Sequence, residues 1–396
     1  MATVRVTRAA PGPAPKSARE FFRRLIWFCS LPGIVLLSGV SVLQRSGETW
    51  SVDRVIACQR AHPDALFLRA ADQAFYAYKY RAIAAKKPAI LVAGSSRTMK
   101  FRAPMFGEQA SSFYNAGGIL NSVRDLHDLS MVVPDAYVPR VLLLGVDLWW
   151  LNDQVPEAFD LTAEIAKGDG GFDEHVLALR WLVRHPRAFA GEAASLLGAK
   201  NNGHIGISAR EKGGGFRADG SFKSALPTPR SNHDWEFVDR ETPPVIERVR
   251  DAVGNFPPAT SLSVRRLALL DEVLGRYQAR RVFVIGYFPP FSSAVVAQLG
   301  SDHRHARIWS EFRRVVPDLF RKHGFPVLDA SETAAVGMDD RAMSDGFHAE
   351  ETFDVHVLKA LLGDERVRAL LPGAETALDR ALASPATNYW NPDLGS

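Results

Sequence analysis

The chain has 396 residues, with 48 Lys and Arg against 44 Asp and Glu, and it is 46% hydrophobic and 23% charged. That balance excludes a wholly disordered or collagen-like chain, and the length suits one large decorated domain or two domains with a sizeable core. Two cysteines exclude a disulfide scaffold and a cysteine-based metal cluster.

The basic excess sits at the start. Residues 1–24 carry Arg5, Arg8, Lys16, Arg19, Arg23 and Arg24 against Glu20, which leaves 42 basic and 43 acidic residues for the remainder. A body without net positive charge argues against a nucleic-acid partner. Residues 1–20, rich in Ala, Pro and basic groups, are expected to be disordered within a basic cytoplasmic tail, 1–24. Residues 25–43, LIWFCSLPGIVLLSGVSVL, are nineteen uncharged residues, enough to cross a hydrocarbon core at about 1.5 Å per residue. The run is longer than a signal-peptide core and no small-x-small cleavage site follows, so an anchor is the better reading. A lipoprotein box at Cys58 fails because Glu48, Asp53 and Arg54 separate it from the apolar run. The positive-inside rule puts the N-terminus in the cytoplasm and the body outside the membrane.

Residues 44–85 read as a connecting segment. From there apolar runs bounded by turn signals recur: 89–93, 141–144, 282–285 and 326–329, with a weaker one at 112–115. Unbroken runs suit strands buried on both faces of a parallel sheet. Helical patterns at 262–278, 308–320 and 352–362 lie between or after them, and this alternation predicts an α/β domain over 86–366 with helices on both faces. Residues 150–260 break the rhythm with Gly168–Gly171, Lys212–Gly215 and Pro227–Pro229, and read as a large insertion, with helical patterns near 174–198 and 244–254. Such an excursion forms either a lid over a crevice or a solvated decoration. Residues 367–396 read as a loosely packed tail.

Three elements carry chemistry. Gly94-Ser95-Ser96-Arg97 follows a strand, where α/β proteins bind ligands, and the backbone N–H groups there can face an oxyanion. Asn115-Ala-Gly117-Gly118 follows the weak strand, and a glycine lets backbone approach a reacting centre. Asp345 and His348, three apart on a turn entering a helix, can set an imidazole against a serine hydroxyl. Each element alone is more often an ordinary turn or helix cap.

In chain order, strand–Gly-x-Ser, strand–Asn-x-Gly, Gly145-Val-Asp147 and a late Asp-x-x-His resemble the SGNH (GDSL-like) hydrolase superfamily. The resemblance implies a flavodoxin-like three-layer sandwich with a parallel sheet, Ser96 as nucleophile, Gly117 as an oxyanion donor, and Asp345 and His348 as the acid–base pair. The Gly-Ser-Ser variant with an N-terminal anchor is similar to D-alanyl transfer proteins and to exopolysaccharide O-acetyltransferase-like proteins. It implies a single-pass protein of the bacterial cytoplasmic membrane, with an acyl donor, a polysaccharide acceptor and a membrane acyl-transfer or export partner. The third block departs from the family, because Asp147 stands where an Asn donates to the oxyanion and a carboxylate cannot donate. The missing donor is Arg97, Asn152 or an indole N–H of Trp149 or Trp150, or it is absent. Arg97 either holds an anionic group or pairs with a structural acid. Trp149-Trp150 either stacks on a sugar ring or covers the core. Tyr287–Phe291 is expected to shape one wall of the same crevice. No phosphate loop and no zinc spacing is present, so no cofactor or metal is expected, and His303-Arg-His305 reads as solvated.

Overall fold

The computed structural model describes residues 18–71, 74–132, 137–157, 161–165, 167–169, 171–197, 203–224 and 244–383. Elements follow in chain order: α1 (Ala18–Ser46), α2 (Val52–Ala61), α3 (Phe75–Lys86), β1 (Ile90–Gly94), β2 (Phe113–Gly117), α4 (Val123–Val132) and β3 (Val141–Gly145). Then come α5 (Leu161–Ile165), α6 (Phe172–Arg184), α7 (Pro186–Leu197), α8 (Ile207–Lys212), β4 (Gly215–Phe216), β5 (Phe222–Lys223) and α9 (Val245–Asp251). The chain continues through α10 (Val264–Ala279), β6 (Phe283–Phe288), α11 (Ser293–Ser301), α12 (Ala306–Lys322), β7 (Val327–Asp329), α13 (Glu351–Leu361), α14 (Glu365–Leu370) and α15 (Ala374–Ala383).

The central sheet has five parallel strands in the order β2-β1-β3-β6-β7. β1 and β2 run outward to one edge and β3 restarts on the other side of β1. The reversal leaves a crevice beyond the C-terminal ends of β1 and β3. All five expected strands form, including the weak one, which sits at the sheet edge as β2.

Successive strand residues face opposite sides, and each side meets its own apolar layer. Leu91, Ala93, Tyr114, Leu142, Leu144 and Val284 pack with residues of α4, α10 and α12. Ile90, Val92, Phe113, Val141, Leu143 and Ile285 pack with Phe101, Phe106 and residues of α13 and α15. This alternation gives a helix–sheet–helix sandwich. α12 buries Ile308, Trp309, Phe312, Val316 and Phe320 at helical spacing, as its pattern requires.

Four expectations need correction. Residues 18–20 are helical, as the first turn of α1. Residues 44–85 are part of the body, not a spacer. Glu48 accepts the N–H groups of Ala70, Ala71 and Ile207, and Lys79 is fully buried, donating to the carbonyls of Asn115 and Gly220. Residues 367–383 are not loose, because α15 buries Ala374, Leu378 and Ala381 against the layer holding Phe106. His305 is not solvated. It is buried, with Nε2 3.1 Å from the Val249 carbonyl, whereas His303 is exposed.

The described part of the insertion is neither purely lid nor purely decoration. Its β4–β5 hairpin backs the sheet edge, with Asn115 N–H donating to Asp219 O and Phe222 N–H to Met99 O. Pro227–Pro229, Gly170 and the tail from residue 384 lie outside the described residues.

Among the described residues one helix, α1, is long and apolar enough to span a membrane over Glu20–Ser46. Phe21, Phe22, Leu25–Phe28 and Ile34–Leu37 are exposed. The last residues of the expected span, Val42 and Leu43, are instead buried in the body, Leu43 with Ala178, Leu182 and Ile207.

Candidate active site

Three glycines end three neighbouring strands: Gly117 on β2, Gly94 on β1 and Gly145 on β3. A Cβ on any of them would lie 2.3–2.5 Å from the Thr98 side chain. The glycines therefore let the turn after β1 fold down over the strand ends, with Thr98 plugged among them and fully buried. Ser95 caps this turn, its hydroxyl accepting the Arg97 N–H at 3.3 Å and its carbonyl accepting the Thr98 hydroxyl at 3.0 Å. Ser96 is left at the crevice, only partly buried.

Ser96 Oγ lies 2.9 Å from His348 Nε2, and His348 Nδ1 lies 2.8 Å from Asp345 Oδ2. The other Asp345 oxygen accepts the backbone N–H groups of Phe347 at 2.7 Å and His348 at 2.6 Å. Burial is the largest influence on this carboxyl and pushes its pKa up. The His348 charge and hydrogen bonds together outweigh burial and hold it down at about 2. An ionised carboxylate only accepts, so the Nδ1 facing it carries a proton, and in the neutral imidazole Nε2 is then the acceptor of the Ser96 O–H. The turn that sets this geometry closes on itself through Ser344 N–H to His348 O at 2.8 Å.

The Arg97 and Asp147 side chains are 1% and 0% exposed and meet at 2.6 Å. Arg97 also donates to the carbonyls of Phe347 at 3.0 Å, Pro289 at 2.7 Å and Pro290. Burial presses the guanidinium pKa down and the carboxyl up, and their mutual attraction opposes both effects. Arg97 thus staples the serine turn to the ends of β3 and β6 and to the histidine loop. Of its two readings, the structural acid holds. The departure at Asp147 has a physical reason, since the carboxylate is the counter-charge for the arginine that follows Ser96.

The other candidate residues are committed elsewhere. Gly117 N–H donates to Asn115 Oδ1 at 2.6 Å, so it does not face the serine as a free donor. Asn115, which the sequence reading left without a role, also donates through Nδ2 to the carbonyls of Thr98 and Phe101, both at 2.9 Å. Asn152 donates to Pro257 O at 2.8 Å and accepts the Gln154 N–H at 2.9 Å. Trp149 and Trp150 are buried in the core, not presented to a sugar. Trp149 stacks on Phe347 at 5.3 Å and 23°, and so buttresses the histidine turn. Phe291, from the expected wall, packs 6.0 Å from the same ring. The Ser96 N–H makes no hydrogen bond to the described residues and is the one matched donor left for an oxyanion.

A second buried polar cluster lies just beyond His348. Lys100 Nζ is 3.2 Å from Glu350, and Glu351 takes Arg102 at 3.0 Å and Arg217 at 2.7 Å. Asp354 is fully buried, one of its oxygens has no partner, and burial pushes its pKa well up. Among the described residues no group of three or more His, Cys, Asp or Glu side chains is placed to hold a metal ion. Compared with known proteins, the chain matches no family model and no curated protein.

Proposed function

We propose that the chain is a membrane-anchored serine esterase or O-acyltransferase of SGNH type. The observation that carries this reading is the Ser96–His348–Asp345 relay, with contacts of 2.9 and 2.8 Å, at the switch point of a parallel sheet. Counting only the strands of this sheet, the order is 2-1-3-4-5, the flavodoxin-like order that the resemblance implies.

In this reading Ser96 Oγ attacks the acyl carbonyl carbon as His348 Nε2 takes its proton. The Ser96 N–H donates to the tetrahedral oxyanion. The oxyanion collapses, the bond to the leaving oxygen breaks, and His348 returns the proton to that oxygen. Water or a sugar hydroxyl then gives its proton to His348 and attacks the acyl carbon, the bond to Ser96 Oγ breaks, and His348 returns the proton to Oγ. Asp345 stays ionised throughout and holds the imidazole. In this reading α1 is a single span with its basic flank in the cytoplasm, so the body works outside the cytoplasmic membrane of a bacterium, where envelope and secreted polysaccharides are the acceptors within reach.

A second reading is a non-catalytic SGNH-like partner in a polysaccharide export or modification complex. The committed Gly117 N–H and the Asp147 carboxylate favour it, because each lost oxyanion donor costs about 10²–10³-fold in turnover. The test is release of nitrophenol from nitrophenyl acetate by the detergent-solubilised full chain, followed from the first turnover. The enzyme reading predicts a burst of one equivalent that the Ser96→Ala variant lacks. Equal rates from the two proteins sink it and leave the partner reading.

A further inference from the structure

The α6–α7 helical hairpin lies alongside the outer half of α1. It starts level with the end of α1, where His175 Nε2 is 3.0 Å from Gln44 Nε2. It then runs back along α1, with Leu179 and Leu182 beside Gly39. Between the three helices lies a groove of about 700 Å³, walled by Val35, Leu36, Val176, Leu179, Val183 and Phe189. Val35 is about 16 Å from the Ser46 end of α1 at 1.5 Å rise per residue, so the groove reaches the apolar stretch of the helix.

The hairpin's outer surface is also unlike that of a water-facing helix. Val183 is 79% exposed, Phe172 is 83% exposed, and Leu177 is exposed as well. Arg180 and Arg184, one turn apart, line the same groove. Neither makes a hydrogen bond or an ion pair among the described residues, although most arginines of the body are paired. An exposed apolar wall with basic side chains beside it fits an interfacial helix that meets anionic headgroups.

We infer that this groove seats a glycerophospholipid of the outer leaflet, one acyl chain lying against Val35, Leu36 and Phe189 and the headgroup phosphate at Arg180 and Arg184. Val35 and Leu36 belong to the exposed apolar stretch of α1, so with α1 crossing the bilayer the part of the groove that they wall meets lipid. The hairpin therefore enters the outer leaflet and holds the body against the membrane surface. This inference rests on the proposed anchor, α1 as a span with its start in the cytoplasm, and is independent of the chemistry at Ser96.

The test uses the full chain with both cysteines replaced by serine, in nanodiscs of phosphatidylethanolamine and phosphatidylglycerol. Single spin labels are placed at Val183→Cys, at Leu36→Cys as a span reference, and at Val264→Cys, an 82% exposed position on the body, as a water reference. The expected result is that the Val183 label collides with oxygen more than with a water-soluble nickel complex, as the Leu36 label does and the Val264 label does not. A Val183 label as open to nickel as the Val264 label overturns the proposal even where the span reference is in lipid. Native mass spectrometry of the full chain with added phosphatidylglycerol reads the headgroup. One bound lipid on the parent, reduced at least tenfold in R180E with R184E, supports the phosphate contact, and equal retention overturns it. A Val183→Cys chain that crosslinks into a disulfide dimer assigns the groove to a second copy and also overturns the proposal.

Discussion

Arg97→Met offers the most informative perturbation of the site. It leaves the Asp147 carboxylate buried without its counter-charge and strips a donor from the carbonyls of Pro289, Pro290 and Phe347. Removing one member of a buried ion pair costs about 3–5 kcal/mol. An unfolding entropy of about 2.1 cal/mol/K per residue over 396 residues is roughly 0.8 kcal/mol/K, so Tm falls by roughly 4–6 °C. The loss extends to chemistry, because the Phe347 carbonyl belongs to the residue next to His348. Thermal unfolding of the full chain in detergent reads the first effect. The rate of fluorophosphonate labelling well below Tm reads the second and falls with it. Arg97→Lys restores a charge opposite Asp147 without the planar fork that reaches the carbonyls. It therefore regains part of the stability and little of the labelling rate. An Arg97→Met protein with unchanged Tm and unchanged labelling refutes the staple.

Three further outcomes are expected. Ser96→Ala removes the hydroxyl whose side-chain partner among the described residues is His348, so it abolishes covalent labelling while Tm, read by calorimetry, stays within about 1 °C of the parent. Asp345 has a folded pKa of about 2, below the ordinary 3.8. It contributes stability, on the order of 2 kcal/mol, that is complete above about pH 5 and is lost as pH falls through 4 towards 2. In Asp345→Asn that part of the acid limb flattens, and an unchanged acid limb refutes the assignment. Asp354 has the opposite sign: its raised pKa costs stability as pH climbs above the unfolded value, with Lys100, Glu350 and Glu351 as the charges facing it. Asp354→Asn should therefore raise Tm at pH 7.5 more than at pH 4, and an equal shift at both contradicts the raised pKa of Asp354.

The strand runs and helical patterns of the sheet domain were legible because buried parallel strands read as continuous apolar segments and amphipathic helices as a 3.6-residue repeat. The pairing of Ser96 with Asp345 and His348 was legible only through the family resemblance that the order of the blocks carries, because chain order alone leaves open which loops meet at the end of a parallel sheet. The role of the glycines was not legible. A strand-terminal glycine looks the same whether it admits an oxyanion or, as Gly94, Gly117 and Gly145 do, a threonine side chain. The link between Arg97 and Asp147 was half visible, as an arginine with a structural acid among its expected partners and a departure at Asp147, but their contact depends on side-chain reach across β1 and β3. The burial of Lys79, Glu48 and α15 could not be foreseen, because tertiary contacts from distant segments recruit residues that local composition marks as polar or terminal.

The central claim is that Ser96 is a nucleophile activated by His348. Intact-mass measurement of the detergent-solubilised full chain after exposure to a fluorophosphonate tests it most directly. One adduct, mapped to Ser96 and formed at least about 100-fold more slowly in the His348→Ala variant, is the predicted result. A folded parent chain that takes up no adduct, or takes it up at the same rate without the histidine, contradicts it.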